Sequence, residues 1–158
     1  MRADTFGVLY RAHAPSVFRR ARNLLGSDAD AHDVVSDVFL SLYERPAQFQ
    51  GRSRLSTFLY SMTTNLCLNR LRRQRQRAEL HEKVVHFSKS TPPPSPDHVV
   101  QLRKLLETVP EALAQVAVYY HLDELTQDEI AEILGCSRRH VGNLLARLHD
   151  WVANEESA

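Results

Sequence analysis

Apolar residues recur at helical spacing along almost the whole chain. The clearest example spans residues 34 to 43, where they fall at i, i+1, i+4, i+5, i+8 and i+9 and so share one side of a helix. These residues are Val34, Val35, Val38, Phe39, Leu42 and Tyr43. The sequence lacks the apolar–polar alternation that half-buried strands require. The pattern therefore predicts an all-α protein.

Glycine and proline mark where the helices end. A first helix is predicted to end near Gly26, with a bend or local break at Pro15. A second helix closes at Pro46, and a third begins at residue 54 or 55 and continues into an arginine-rich segment. Two short helices are expected at the C-terminal end of the chain.

A proline-rich segment, Ser88 to Pro96, divides the chain. It cannot continue a helix, because each proline removes a backbone donor and clashes with the preceding turn. We expect two small helical domains, at residues 1–85 and 99–155, joined by a flexible linker over residues 86–98. Each domain is small enough that its core is expected to be modest.

Composition excludes several classes of protein. The chain is 43% hydrophobic and 25% charged, which is typical of a soluble globular protein. No apolar run approaches the roughly 20 residues that a membrane span needs, and the N-terminal residues lack the features of a signal peptide. A cytoplasmic protein without membrane insertion is expected.

Nothing in the sequence points to catalysis or to a bound cofactor. Cys67 and Cys136 lie far apart without a CxxC pair, and the eight histidines show no metal-ligand spacing. Phosphate-binding glycine loops, nucleophile motifs and close pairs of candidate catalytic carboxylates are also missing. We therefore expect no catalytic residue, no metal site and no cofactor, and hence no enzyme.

The C-terminal segment carries a helix-turn-helix pattern. Thr126 and Glu129 have the spacing of a capping box, Gly135 permits a tight turn, and Ser137 is placed to cap the next helix. The exposed start of that second helix is the part that enters the major groove in DNA-binding proteins of this type. The DNA-binding candidates are Ser137, Arg138, Arg139, His140 and Asn143. The alternative is a pair of surface helices whose arginines are simply solvated.

Charge is strongly segregated in the N-terminal half. Residues 28 to 44 contain five acidic residues and no lysine or arginine, whereas Gly51 to Arg77 contains seven arginines and no acid. Asp33 and Asp37 are four residues apart, so they share a helix face and repel each other. This favours an external basic partner. Stabilisation of the helix dipole explains Asp28 and Asp30 but not Asp37.

These segments resemble a known family. In chain order, "LYRAHAPSVFRRARNLLGSDADAHDVVSDVFLSLYER", "FQGRSRLSTFLYSMTTNLCLNRLRR" and "LETVPEALAQVAVYYHLDELTQDEIAEILGCSRRHVGNLLARL" resemble the opening of region 2, the −10 segment and region 4 of bacterial sigma-70 transcription initiation factors of the extracytoplasmic-function group. The resemblance implies binding to core RNA polymerase at the beta-prime clamp helices and the beta flap. It also implies binding to promoter DNA and regulation by an anti-sigma factor.

The resemblance also assigns residues. It places Asp33, Val34, Asp37, Val38 and Phe39 at the polymerase-binding helix. It places Phe49, Gly51, Arg52, Ser53, Arg54, Asn65, Asn69, Arg72 and Arg73 at the −10 element. Phe58 is open between core packing and base stacking, and the role of Tyr60 is undecided. The proline-rich segment is open between a plain spacer and a linker directed toward the polymerase active centre.

The resemblance breaks down in the second helix of the helix-turn-helix, called the recognition helix below. The family carries a Lys-Ser-Arg run where this sequence has Gly142, Asn143 and Leu144, so two potential phosphate-binding charges are missing. The departure keeps a second hypothesis open, namely a sigma-derived regulator or decoy that binds polymerase or an antagonist without initiating transcription. A simple helix-turn-helix repressor would leave the acidic and arginine-rich segments unexplained.

Overall fold

A computed structural model describes residues 3–84 and 97–156. Over these ranges the chain is helical and contains no strand, as the apolar spacing predicted. The α-helices are α1 (Ala3–Leu25), α2 (Asp28–Glu44), α3 (Leu55–Val84), α4 (Asp97–Thr108), α5 (Glu111–Ala117), α6 (Gln127–Leu134) and α7 (Arg138–Glu156). The predicted linker at Ser88 to Pro96 lies outside the described residues, and residues 97 and 98 already belong to α4.

Helices α1, α2 and α3 pack together as the N-terminal unit. Their ends confirm the predicted boundaries, since α1 stops just before Gly26, α2 stops just before the Pro46 turn, and α3 begins at Leu55. Pro15 lies inside α1 and does not break it. A short 3-10 helix, Pro46–Gln48, leads into a loop in which Gly51 adopts a φ of 68°. Such a positive φ is a conformation that glycine tolerates best.

The predicted apolar stripe of α2 forms much of the N-terminal core. Val34, Val38 and Leu42 are buried against α1 and α3. Tyr43, at the end of the stripe, stays 52% exposed, with its ring edge against Phe6 at a centroid distance of 5.2 Å. Helix α2 therefore combines a buried apolar side with an exposed side.

The C-terminal unit contains the expected helix-turn-helix. The side chains and backbones of Thr126 and Glu129 bond reciprocally in a capping box, and Gly135 ends α6 at a φ of 65°. Ser137 Oγ accepts the backbone N–H of His140 at 3.1 Å and so caps α7. Helix α7 has 19 residues and is longer than the short helix expected, because its apolar series continues through Leu148 to Trp151.

One element of this unit was not predicted. Helix α5 continues directly into a π-helix, Val118–Leu122, whose wider turn holds Tyr119 fully buried. Such insertions are rare and are often found at functional sites. The chain then passes through Asp123 and through Glu124, which has a φ of 54°, before α6 begins.

The two units share one core. Buried side chains from α1–α3 and from α4–α7 form a single cluster, whereas the sequence led us to expect two separate modest cores. The difference arises because α4, α5 and α6 all pack against α3. The C-terminal unit thus covers part of the arginine-bearing helix.

Candidate functional site

Helix α2 presents an acidic face that is linked to α3. The side chains of Asp33 and Asp37 are 67% and 51% exposed. Arg70 of α3 reaches them, with its Nη1 at 3.4 Å from Asp30 and from Asp33 and its Nη2 at 3.0 Å from Asp37. Burial works to lower the pKa of Arg70, but its hydrogen bonds to Asp37 and Asp33 outweigh burial and raise that pKa. Part of the repulsion expected from the sequence is therefore relieved within the chain.

The acidic face nevertheless keeps an excess of negative charge, because three carboxylates share one guanidinium. Its remaining candidate residues lie underneath it: Val34, Val38 and Phe39 are at most 2% exposed. They hold the helix in place and do not offer a contact surface.

Sequence reasoning missed an exposed apolar residue beside the acids. Leu40 is 55% exposed and follows Asp37 by three positions, so it lies on the acidic face of α2. An apolar residue at helical spacing from the acids was the available signal, and it identifies Leu40. The acidic face therefore includes an exposed apolar side chain.

The loop before α3 is open. Arg52 and Arg54 are exposed, and Gly51 has no neighbouring atom within 4 Å of where a side chain would begin. Ser53 is half-buried. Phe49 is also half-buried and packs on Phe58 at a centroid distance of 5.4 Å. Phe58 itself packs against the core, so the structure shows the packing contact that was one of its two alternatives.

The candidate DNA residues along α3 differ in accessibility. Asn69 and Arg73 are exposed and Asn65 is half-buried. Arg72 donates from Nη1 to Asn69 at 3.2 Å and lies 3.8 Å from the Glu111 carboxylate at the start of α5. Its side chain is only 19% exposed, and its Nη2 is buried without a hydrogen-bond partner. Helix α5 therefore covers one of the predicted DNA contacts.

A second covered site was missed by sequence reasoning. Arg20 of α1 donates from Nη1 and Nη2 to the two carboxylate oxygens of Asp123, at 2.5 and 2.7 Å. The Tyr60 hydroxyl donates to the same carboxylate, and the Arg20 guanidinium lies 4.3 Å from the centre of the Tyr60 ring. Burial, followed by the hydrogen bond to Asp123, raises the pKa of Tyr60. Sequence separations of 103 and 63 residues left no local signal for these contacts.

The recognition helix, in contrast, is uncovered. Arg138, Arg139, His140 and Asn143 are exposed along the start of α7. The side chain of Arg138 is 68% exposed and lies 3.8 Å from Asp128. Leu144, in the departing segment, is 7% exposed and packs in the core, so only positions 142 and 143 affect the outer face.

The structure offers little for other chemistry. Cys67 is buried, and burial raises the pKa of its thiol to about 12. Within residues 3–84 and 97–156, no three His, Cys, Asp or Glu side chains cluster in a way that could hold a metal ion. Among the helices described, none is long and apolar enough to cross a membrane.

Comparisons with known proteins agree with this geometry. The family model for sigma-70 region 2 matches residues 9–77, and a model for sigma-70 region 4 matches residues 100–148. The ECF RNA polymerase sigma factor SigW of Bacillus subtilis (strain 168) is 25% identical over 160 residues, which cover 92% of this chain and 84% of the relative. The ECF RNA polymerase sigma factor SigE of Mycolicibacterium smegmatis is 27% identical, and the match covers 94% of this chain and 62% of the relative.

A solved structure shows the same fold. The sigma factor RpoE of Bartonella quintana, determined in complex with the anti-sigma factor NepR, superposes with a TM-score of 0.54 and 17% identity over 94% of both chains. The two region models follow each other in order and together span about three quarters of the sequence. The chain belongs to the sigma-70 family, in the extracytoplasmic-function group of RNA polymerase sigma factors.

Proposed function

We propose that the chain binds core RNA polymerase through the acidic face of α2 and directs it to a restricted set of promoters. The observation that carries this proposal is the presence, on one chain, of an exposed acidic face on α2 and an exposed recognition helix α7. The acidic face would bind the basic beta-prime clamp helices, with Asp33 and Asp37 as the contacting residues. Val34, Val38 and Phe39 would support them from below.

DNA contacts are proposed at two surfaces. Ser137, Arg138, Arg139, His140 and Asn143 would bind the −35 element, because Arg and Asn suit the edges of G and A in the major groove. The −10 element would be bound and melted by the loop and helix that carry Phe49, Gly51, Arg52, Ser53, Arg54, Asn65, Asn69, Arg72 and Arg73. Arginines there neutralise phosphates, which gives affinity without sequence preference.

The order of the two region models, which match residues 9–77 and 100–148, supports the order of the proposed domains. Residues 1–85 would bind polymerase and the −10 element, residues 86–98 would connect, and residues 99–155 would bind the −35 element and the beta flap. The protein would act in the cytoplasm, where its polymerase works, as a non-enzymatic factor without a cofactor. An anti-sigma factor is a further expected partner, as in the Bartonella complex.

In vitro transcription tests the proposal. The purified chain is added to core polymerase on a fragmented genomic template, and transcript starts are sequenced. We expect discrete new starts that share upstream motifs. Binding to core without new starts would instead support the regulator or decoy hypothesis, which the departure at Gly142, Asn143 and Leu144 motivates.

A further inference from the structure

The Arg20 site has the chemistry of a nucleotide-binding site. On the N-terminal unit it offers two guanidinium N–H groups and the Tyr60 hydroxyl, all directed at one anion. In this structure the C-terminal unit packs on the N-terminal unit, and that anion is the Asp123 carboxylate. This arrangement is called closed below. The paired donors of arginine fit carboxylate and phosphate oxygens equally well.

The donors are held in place by their own unit. Thr64 donates its hydroxyl proton to the Tyr60 carbonyl at 2.9 Å, so its oxygen accepts from Arg20 Nε and Nη2, each at 3.2 Å. The guanidinium is also positioned over the Tyr60 ring. Arg20 would therefore keep this orientation if Asp123 moved away.

The C-terminal unit also supplies a ring. Tyr119 stacks on Tyr60 with ring centres 5.6 Å apart and planes 23° from parallel. Asp123 follows four positions later and completes the contact with its carboxylate. The π-helix thus presents an aromatic ring and an anion together, as a nucleotide presents its base and its phosphate.

The contact between α3 and the C-terminal unit leaves one donor of α3 unsatisfied. Arg72 Nη2 is buried without a hydrogen-bond partner beside Glu111. Buried polar atoms are rarely left unpaired. The Tyr119 hydroxyl is also buried, and the Ser61 and Thr64 hydroxyls lie near it.

Space is available on both sides of Arg20. A cavity of about 200 Å³ lies beside it on the N-terminal unit, next to His13, Ser56 and Tyr60. A second cavity of about 490 Å³ lies toward Arg22, but Asp123 and other residues of the C-terminal unit form part of its wall. A strand whose phosphate occupied the Asp123 position would have room to continue into the first cavity.

We propose that Arg20 and Tyr60, positioned by Thr64, form a binding site for one nucleotide of single-stranded DNA, and that Tyr119 and Asp123 occupy it as an internal nucleotide mimic. For a promoter strand this inference rests on the proposed function. A nucleotide is favoured because the site offers the Tyr60 ring, on which a base can stack, beside the Arg20 donors, which can bind a phosphate. Closure and strand binding would exclude each other.

The test measures binding of a fluorescein-labelled, mixed-sequence single-stranded oligonucleotide of about 12 nucleotides by fluorescence anisotropy. Removing the mimic with Asp123→Asn should raise affinity at least about fivefold, because a charge-assisted contact is made available. The double variant Asp123→Asn with Arg20→Gln should return to the wild-type value. Between these two variants the slope of log K against log salt should differ by about 0.7, the share of one phosphate contact in a single strand.

Asp150→Asn is the matched control. It makes the same charge change at an exposed residue of α7, so a general charge effect would raise affinity equally in both variants and overturn the proposal. If Asp123→Asn raised the affinity for a polyglutamate peptide as much as the affinity for the oligonucleotide, the proposal would also be overturned, since binding would then need no base. Circular dichroism confirms that each variant is folded.

Hydrogen exchange of the wild-type chain gives a second measurement that needs no variant. Saturation with the oligonucleotide should speed amide exchange in residues 118–125, because the bound strand displaces this segment. Unchanged or slower exchange there would overturn the proposal. If the chain produces new transcription starts but Asp123→Asn leaves the oligonucleotide affinity unchanged, the proposed function stands and the proposed site is overturned. An affinity gain reversed by Arg20→Gln in a chain that starts no transcripts would support the site and count against the function.

Discussion

Two of the arginine–carboxylate sites that the structure describes, one at Arg70 and one at Arg20, differ in charge balance and exposure. Arg70 serves three aspartates on α2 whose side chains are 31% to 67% exposed. Among the described residues Arg20 pairs with one carboxylate, that of Asp123, and these side chains are 11% and 15% exposed. The Arg70 site, called the open site below, has more negative than positive charge. The Arg20 site, called the closed site, has one charge of each sign. Exposed charge without a counter-charge can attract an external partner, whereas the charges of the Arg20–Asp123 pair already neutralise each other within the chain.

The largest expected effect is at the open site. Asp37→Arg would place a cation beside Arg70 and facing the basic partner, so we expect affinity for core polymerase to fall at least about 100-fold, since like charges at an interface cost several kcal/mol. Co-purification with core polymerase measures the loss.

Asp28→Arg is the control for that variant. It makes the same charge change on the same helix, at a carboxylate that pairs with Arg22 and lies outside the Arg70 cluster. We expect it to co-purify normally. Normal co-purification of the Asp37 variant would show that the acidic face is not the polymerase-binding surface.

The second effect is at the closed site. Asp123→Asn leaves Arg20 without its counter-charge at a nearly buried position, so the free energy of unfolding should fall by about 2 kcal/mol. Urea denaturation measures it, with Asp150→Asn expected within about 0.5 kcal/mol of wild type. An equally small change for Asp123→Asn would mean that the closed pair contributes nothing to stability.

The same contrast separates what the sequence could and could not predict. Local signals were sufficient for the helices: Gly26, Pro46 and the Thr126 capping box gave boundaries that the structure confirms. The acidic face was also visible, because Asp33 and Asp37 are four residues apart. The closed site was not, because Arg20 and Asp123 meet only through packing of two units. The π-helix that carries Tyr119 likewise has no periodic signature.

The third effect concerns pH. Burial raises the pKa of Tyr60 above its usual 10.0 in the folded chain, and the hydrogen bond to Asp123 adds to that rise. Above about pH 10 the unfolded chain therefore releases this proton first, and stability falls as pH rises. Tyr60→Phe should cost about 1 kcal/mol near neutral pH through loss of the hydrogen bond. It should also flatten the decline in unfolding free energy above pH 10.

Urea denaturation at about pH 8 and about pH 11 checks this prediction. Cys67 also has a raised pKa, but it titrates in both proteins and cancels from the difference. Parallel declines in the two proteins would show that the Tyr60 hydroxyl is not held in its protonated form at the closed site.

The smallest effect returns to the open site and has the opposite sign. Asp33→Asn removes one of three carboxylates that compete for Arg70, while the 3.0 Å contact to Asp37 remains. Because Asp33 is 67% exposed, the lost attraction is weak and relief of repulsion offsets it. We expect the free energy of unfolding to stay within about 0.5 kcal/mol of wild type or to rise slightly. A loss as large as that of Asp123→Asn would show that the acidic face is a structural network after all, and that the contrast between spare and balanced charge does not distinguish the two sites.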